Sequence, residues 1–241
     1  MRTRPSGPAP SLATMTTPSS PTVGLAVAHL FWTATVLSDA DAVHSAISGV
    51  VDAGDQVVTA SMLGHKADLA TVVLTSDQWR IRAFQTAMVD AGFELVDSYL
   101  SLTEMSEYAQ GLPDEMKQAR LFPQLPPEGK PAFCFYPMSK RRNVGQNWFA
   151  LPFDDRKALM LEHGASGRKF AGRVLQVVTG STGIDDFEWG VTLFCQHPDD
   201  IKDVVYTMRY DEASATYAEF GTFYVGMVAS PAEALSSIGV A

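Results

Sequence analysis

The sequence predicts an α+β protein made of two ferredoxin-like repeats, each with the element order βαββαβ. The first observation is that alternating apolar stretches and stretches with helical periodicity follow one another in this order twice along the 241 residues. The second is a connection at residues 104–130, with six Pro or Gly residues, that separates the two series. We therefore expect two domains, at residues 21–103 and 131–229.

The first repeat is bounded by helix start and stop signals. Asp39 or Asp41 is expected to begin its first helix and Gly54 to end it, while Ser76 and Gly92 bound the second helix. The six elements are predicted at residues 23–37 (strand), 39–54 (helix), 56–63 and 67–75 (strands), 76–92 (helix) and 93–103 (strand).

The second repeat has the same order. Asp154 or Asp155 is expected to cap its first helix, and Pro198 to stand at the start of its second. The six elements are predicted at residues 131–138 (strand), 154–170 (helix), 173–181 and 188–196 (strands), 198–218 (helix) and 221–228 (strand).

The two ends of the chain look different from the repeats. Residues 1–20 are rich in Pro, Ser and Thr and lack the apolar core of a secretion signal, so they are interpreted as a disordered tail. A transit peptide is the alternative, because this stretch has two arginines and no acidic residue. Residues 230–241 are expected to form a loose C-terminal tail.

Composition excludes several classes of protein. A net charge of −9 argues against nucleic acid as the main partner, and no apolar run is long enough to span a membrane. Cys134 and Cys195 lie in apolar stretches and are predicted to be buried reduced thiols, which fits a cytoplasmic protein.

Unusual polar residues concentrate in the second repeat. His163 is expected on a helix face that meets the sheet, where it could bind a metal or cap the helix end. Tyr136, Met138 and Lys140 share one strand face, which is a site or an ordinary core face. Gln176 is a lone polar residue among apolar neighbours and, if it faces inward, it needs a hydrogen bond or a ligand.

Arg209 and Ser214 form the last candidate pair. A cation with a hydroxyl five residues later could clamp a carboxylate, whereas an ion pair of Arg209 with Asp211 or Glu212 is the ordinary alternative. No second histidine, cysteine or carboxylate has the spacing of a closed zinc site around His163. A single protein ligand suits a haem iron, whose macrocycle supplies four others.

Four stretches together resemble a known family: "FYPMSKRR", "NWFALPFDDRKALMLEHGASGRKFAG", "QVVTGSTGIDDFEWGVTLF" and "MRYDEASATYAEFGTFYVG". They are similar to the coproheme decarboxylases of the chlorite dismutase superfamily, especially the actinobacterial ones. The resemblance is dense over residues 120–228 and looser before them. It implies that both repeats close into one dimeric α+β barrel within the chain.

The resemblance also implies site residues and a reaction. His163 matches the proximal iron ligand, Tyr136 the redox-active tyrosine, and Lys140 a basic residue at a reactive propionate. Met138 matches a wall of the pocket, and Gln176 the place of a distal arginine in chlorite-degrading relatives. The remaining matches are the propionate anchors Arg120, Arg209 and Ser214. The implied reaction uses hydrogen peroxide to convert two propionates of Fe-coproporphyrin III (coproheme) to vinyls, which gives haem b.

Further implications concern assembly and departures from the family. Relatives of this kind form rings of five, so a homopentamer is expected, with a ferrochelatase as a possible transient partner. Phe122 occupies the approximate place of a distal histidine and Thr216 that of a basic residue, so peroxide activation and one propionate contact are expected to differ. The alternatives are a haem peroxidase or chlorite dismutase-like enzyme, and a haem carrier or sensor without turnover.

Overall fold

A computed structural model of the chain describes residues 17–109 and 111–240. The N-terminal half contains β1 (Ala26–Thr33), α1 (Ala40–Val51), β2 (Gln56–Met62), β3 (Leu69–Thr75), α2 (Gln78–Asp90) and β4 (Glu94–Thr103). A connection with α3 (Asp114–Leu121) follows. The C-terminal half contains β5 (Ala132–Lys140), β6 (Arg142–Asn143), β7 (Gln146–Asn147), α4 (Phe153–Arg168), β8 (Val174–Gly180), β9 (Trp189–Cys195), α5 (Pro198–Met208), α6 (Glu212–Ala215), β10 (Ala218–Phe220), β11 (Tyr224–Val228) and α7 (Pro231–Ser237).

Both βαββαβ repeats are present, and their strands form a closed antiparallel barrel. The order of hydrogen-bonded strands is β5-β11-β2-β3-β1-β4-β8-β9, and β9 pairs with β5 again to close the ring. The two halves are joined by β2 with β11 and by β4 with β8. This confirms the predicted fold class. Closure leaves no free edge among these strands.

Strand alternation sorts the side chains between the barrel interior and its outer face. On β5, Phe133 and Phe135 pack inside against residues of both halves, while Cys134 and Tyr136 point outward toward α5. The second cysteine, Cys195, lies on the same outer side, and both are buried free thiols, as predicted.

Three predicted helix boundaries are corrected by the structure. Asp39 does cap α1, but the cap of α2 is Asp77 rather than Ser76, because the Asp77 side chain accepts a hydrogen bond from the Trp79 amide. Pro152 precedes α4, and Asp154 and Asp155 lie in its first turn, where the helix dipole favours acids. The helix predicted at residues 198–218 ends at Met208 and is followed by α6 and β10.

The prediction of a loose C-terminal tail at residues 230–241 is wrong. Ser230 and Glu233 form a capping box that begins α7, and Ala234 and Leu235 pack into the core beneath α1 and α2. At the other end of the chain, most of the predicted tail lies outside the described residues. The Ser19 carbonyl accepts a hydrogen bond from the Gln78 amide (2.9 Å), which fixes the last part of that tail on α2.

Removing the anchor of α7 is expected to destabilise the whole domain. Leu235 is 1% exposed, and Leu235→Ala should lower the free energy of unfolding by ~2–5 kcal/mol, because the cavity forms in a packed core. Urea denaturation measures this change, with Leu63→Ala at an exposed leucine as the control. Equal free energies of unfolding for the two variants would show that the packing of α7 does not stabilise the hydrophobic core.

The barrel interior contains a buried histidine that joins the two halves. His29 on β1 is hydrogen-bonded through Nε2 to the Thr192 hydroxyl on β9 (2.7 Å), and its ring stacks on Phe135 at 4.0 Å. Its Nδ1 has no partner among the described residues. Burial lowers the pKa of His29 from 6.5 to about 3, so the imidazole stays neutral in the folded protein.

This histidine should make the protein sensitive to acid. Below pH 6.5 the unfolded chain binds a proton at His29 that the folded barrel excludes, so stability falls as the pH drops toward 3. The full loss is about 5 kcal/mol. In His29→Gln the decline in urea midpoint between pH 7 and pH 4.5 should be shallower than in the wild type. The exposed His65→Gln is the control, and equal slopes in all three proteins would contradict the assignment.

Candidate functional site

The outer face of β5 carries three of the predicted site residues. Tyr136, Met138 and Lys140 alternate with inward-facing residues along the strand, as the sequence predicted. Directly opposite them, β9 contributes Val191 beside Tyr136 and Trp189 beside Met138. The end of β5 is further held by β10, which pairs with residues 138–140.

Gln176 lies on the same outer face, one strand further along. It is paired with Leu193 of β9, and Leu193 in turn is paired with Cys134 of β5. The next outward residue of β8, Val178, is in the row of Val191 and Tyr136. Gln176 and Val178 are exposed, whereas their neighbours on β9 are buried. The sheet therefore has an uncovered strip, and Gln176 can meet a ligand there instead of a buried partner.

Tyr136 is buried beside this strip in an aromatic setting. Its ring stacks on Phe223 at 4.5 Å and meets Phe220 edge-on at 5.7 Å. Burial raises the pKa of Tyr136, with the nearby Cys134 acting in the same direction and Arg209 against it. The phenol is therefore neutral, so its oxidation to a phenoxyl radical releases a proton as well as an electron.

His163, on α4, is held by polar contacts with Asp211, the N-cap residue of α6, and with Ser214 within α6. The Asp211 carboxylate lies 3.0 Å from His163 Nδ1 and accepts a second bond from the Ser166 hydroxyl at 2.7 Å. The Ser214 hydroxyl is 3.4 Å from the same nitrogen. These contacts fix the ring through Nδ1 and leave Nε2 to bind a ligand, which is the arrangement of a metal-binding histidine.

The pKa of His163 is lowered mainly by burial and also by the charge of Lys140, while Asp211 opposes both effects. The imidazole is therefore held neutral, which is the form that binds a metal. No three His, Cys, Asp or Glu side chains converge as a metal site in the described ranges. One imidazole with a fixed tautomer fits an iron whose other ligands come from a macrocycle.

Lys140 is buried next to the same segment. Its ammonium donates a hydrogen bond to the Ala213 carbonyl and lies 4.5 Å from the centre of the Trp148 ring. Burial lowers the pKa of Lys140 to about 8, although Glu188 and Asp211 oppose the shift. Because an ammonium has three N–H groups, further donors remain for an anionic ligand.

Arg209 caps the C-terminus of α5, and Ser214 lies in α6. The Arg209 guanidinium lies 5.3 Å from the centre of the Phe220 ring, close to Tyr136. The ion pair with Asp211 that the sequence left open does not form, because the Asp211 carboxylate is bonded to His163 and Ser166. The structure therefore brings His163, Lys140 and Ser214 together and leaves the Arg209 guanidinium beside the aromatic group around Tyr136.

Comparison with known proteins identifies the family of the chain. The chlorite dismutase family profile matches residues 35–229. The chain belongs to the chlorite dismutase family. A coproheme decarboxylase from Staphylococcus carnosus is 43% identical over 178 residues, which is 70% of this chain and 71% of that protein.

Other relatives in the family are similar over different spans. A protein from Natronomonas pharaonis, whose name proposes haem binding, is 43% identical over 195 residues; these are 74% of this chain but only 32% of that longer protein. A haem-binding protein from Thermus thermophilus has a TM-score of 0.79 at 33% identity, covering 90% of this chain and 96% of that one. A chlorite dismutase from Candidatus Nitrospira defluvii, at 18% identity and TM-score 0.71 over 90% of this chain and 96% of its own, shares the fold.

Arg120 is the predicted residue that the structure does not bring to this candidate site. It is exposed on α3, and its guanidinium donates to the Met116 carbonyl of the same helix (3.2 Å). A role for Arg120 stays a prediction. No helix of the described chain is long and apolar enough to cross a membrane.

Three supporting residues were missed by the sequence interpretation. Ser166 follows His163 by three positions, so helical spacing already places both on one face. Trp148 and Asp211 gave no such signal, because their contacts with Lys140 and His163 join segments distant in sequence.

Proposed function

We propose that this protein is a coproheme decarboxylase, which uses hydrogen peroxide to convert two propionates of Fe-coproporphyrin III to vinyls and releases haem b. The observation that carries the proposal is the His163 imidazole, fixed through Nδ1 by Asp211, on the same side of the barrel as the buried Tyr136. The 43% identity to a coproheme decarboxylase over most of both chains supports the same reaction.

The conversion of each propionate is a balanced reaction. One propionate, one hydrogen peroxide and one proton give one vinyl group, one carbon dioxide and two waters, so the full conversion consumes two peroxides. The iron porphyrin, when bound, supplies the centre that peroxide oxidises. The protein must then hold the porphyrin, deliver an oxidising equivalent to one carbon, and keep the departing carboxylate in place.

Tyr136 is proposed to deliver that equivalent. As a neutral buried phenol it loses an electron and a proton together, and the resulting phenoxyl can take a hydrogen atom from the propionate chain. Loss of carbon dioxide and return of one electron then complete the vinyl. The stack on Phe223 holds the ring in one orientation, so the hydroxyl position is set before the substrate arrives.

Lys140 and its neighbours are proposed to bind carboxylates. The Lys140 ammonium is held by the Ala213 carbonyl and the Trp148 ring, which leaves an N–H for the reactive propionate. Arg209 and Ser214 are proposed to anchor other propionates, with Arg120 and Met138 as further contacts. Gln176 carries no charge and cannot replace a distal arginine, which disfavours chlorite chemistry.

The cellular setting is part of the proposal. We expect a cytoplasmic homo-oligomer, a pentamer by family resemblance, and transient contact with a ferrochelatase that supplies the iron porphyrin.

A single titration tests the proposed reaction. Purified protein is loaded with Fe-coproporphyrin III, hydrogen peroxide is added stepwise, and the porphyrin is followed by mass spectrometry. Successive loss of two carboxyl groups is expected. Tight binding with an unchanged porphyrin mass would overturn the proposal and favour a haem carrier, and rapid chlorite breakdown would favour a dismutase.

Asp211 should set how well His163 holds iron. Asp211→Asn keeps an oxygen near Nδ1 but removes the negative charge, so haem affinity or the rate with peroxide should fall ~10–100-fold. Absorbance titration and stopped-flow mixing measure the two quantities. Glu212→Gln, an exposed neighbour, is the matched control, and equal behaviour of both variants would contradict the role of Asp211.

A further inference from the structure

A second buried tyrosine lies across β5 from Tyr136. Tyr224, the first residue of β11, is paired with Phe135 and packs in the barrel interior, whereas Tyr136 is on the outer face. The Tyr224 hydroxyl donates a short hydrogen bond to the Asp97 carboxylate on β4. The other oxygen of Asp97 accepts a bond from the Ser98 amide at 2.8 Å. The proposed reaction uses neither residue.

Tyr136 and Tyr224 are connected through one side chain. The Phe223 ring stacks on Tyr136 at 4.5 Å, and Phe223 is the residue before Tyr224. On the interior side, Tyr224 stacks on Phe31 at 3.7 Å. An electron leaving Tyr224 for Tyr136 therefore crosses one ring contact and one peptide unit, without a solvent gap.

The hydrogen bond to Asp97 decides the direction of such a transfer. Burial raises the pKa of both phenols, and at Tyr224 the Asp97 carboxylate raises it further, so each ring must lose a proton when it loses an electron. Tyr224 has a proton acceptor in place, whereas the shifts at Tyr136 come from burial, Cys134 and Arg209, without a carboxylate. Oxidation is therefore easier at Tyr224.

Lys66 is the other charge near Tyr224. Its ammonium lies 5.6 Å from the ring centre and is bonded to the Phe223 carbonyl. The positive charge of Lys66 would make it harder to form a positively charged Tyr224 ring. It has little effect on a neutral phenoxyl, which is what remains once the proton has moved to Asp97.

We propose that Tyr224 and Asp97 form an auxiliary redox site that takes the oxidising equivalent from Tyr136 when no propionate is within its reach. This inference rests on the proposed oxidation of Tyr136 by the peroxide-treated porphyrin. In the transfer, one electron passes from Tyr224 to the Tyr136 phenoxyl, which takes back the proton that Tyr136 released when it was oxidised. The Tyr224 proton moves to Asp97, which is exposed and can exchange it with water. The pair would protect Tyr136 from irreversible damage.

The test uses the protein loaded with haem b, which has no reactive propionate left to consume the oxidising equivalent. Hydrogen peroxide is added, samples are frozen at successive times, and the tyrosyl signal is recorded by electron paramagnetic resonance. The wild type should show a long-lived tyrosyl radical. In Tyr224→Phe most of that signal should be lost, and peptide mass spectrometry should find several-fold more oxidation of Tyr136.

A second test variant and a control variant accompany Tyr224→Phe. Asp97→Asn retains the tyrosine and removes only the proton acceptor, so it should reproduce the loss even if Tyr224→Phe folds poorly. Tyr206→Phe, at an exposed tyrosine on α5, should leave the radical as in the wild type. An unchanged radical in folded Tyr224→Phe and Asp97→Asn overturns the inference.

The outcome is separable from that of the proposed function. If coproheme keeps its mass under peroxide while the Tyr224 signal forms, the decarboxylase proposal fails and the auxiliary site stands. If coproheme is decarboxylated and both variants show the wild-type radical and wild-type oxidation of Tyr136, the function stands and the auxiliary site is wrong.

Discussion

Replacing Tyr136 with phenylalanine is expected to abolish carbon dioxide release from Fe-coproporphyrin III while leaving porphyrin binding intact. The change removes only the hydroxyl, and the ring can keep its stack on Phe223, so the fold is preserved. We expect kcat/KM to fall at least ~100-fold, which corresponds to about 2.7 kcal/mol in transition-state free energy. Porphyrin mass spectrometry gives the rate, and absorbance titration gives the affinity.

The matched control for this variant is Tyr206→Phe, which makes the same chemical change at an exposed residue. It should retain full activity. If Tyr136→Phe removes both propionates at the wild-type rate, the phenol is not the residue that attacks the substrate. If it loses porphyrin affinity instead, Tyr136 is a binding residue, and the mechanism above is wrong.

His163→Ala is the second change with a large expected effect. It removes the one imidazole whose tautomer is fixed by Asp211, and with it the proposed bond to iron. Haem b affinity should fall by at least ~100-fold, or about 2.8 kcal/mol. Binding of iron-free coproporphyrin should change little, because the carboxylate contacts remain.

Comparing the iron-loaded and iron-free porphyrins separates ligation from pocket damage. A loss of both affinities would show that His163 supports the fold of the site rather than the metal. His65→Ala, at an exposed histidine of the N-terminal half, should bind both porphyrins as the wild type does. Wild-type haem affinity in His163→Ala would exclude His163 as the ligand.

Features set by local periodicity could be predicted from the sequence. The βαββαβ order, the shared outer face of Tyr136, Met138 and Lys140, and the burial of both cysteines follow from alternation and helix signals. The capping box that begins α7 was also present in the sequence, as Ser230 and Glu233. The stretch is too short to show a clear helical period, although its residues Ala234 and Leu235 belong to the core.

Features that join distant segments could not be predicted in this way. The partner of Asp211 is an example: the sequence offered Arg209, two residues away, whereas the carboxylate binds His163 on another helix. An exposed ion pair between neighbouring residues contributes little to stability. A buried carboxylate needs hydrogen bonds to compensate for its lost hydration, and His163 and Ser166 supply them to Asp211. Only the packing of α6 against α4 determines which donors reach it.

The sequence by itself determined the element order and the faces of the strands, because the backbone geometry of each element fixes its own period. The tertiary structure decided which strands join the two repeats, namely β2 with β11 and β4 with β8, that Asp211 holds His163, and that Tyr224 meets Asp97. These contacts depend on three-dimensional packing. Each joins residues that are far apart along the chain, and the local sequence pattern around one residue does not predict its partner.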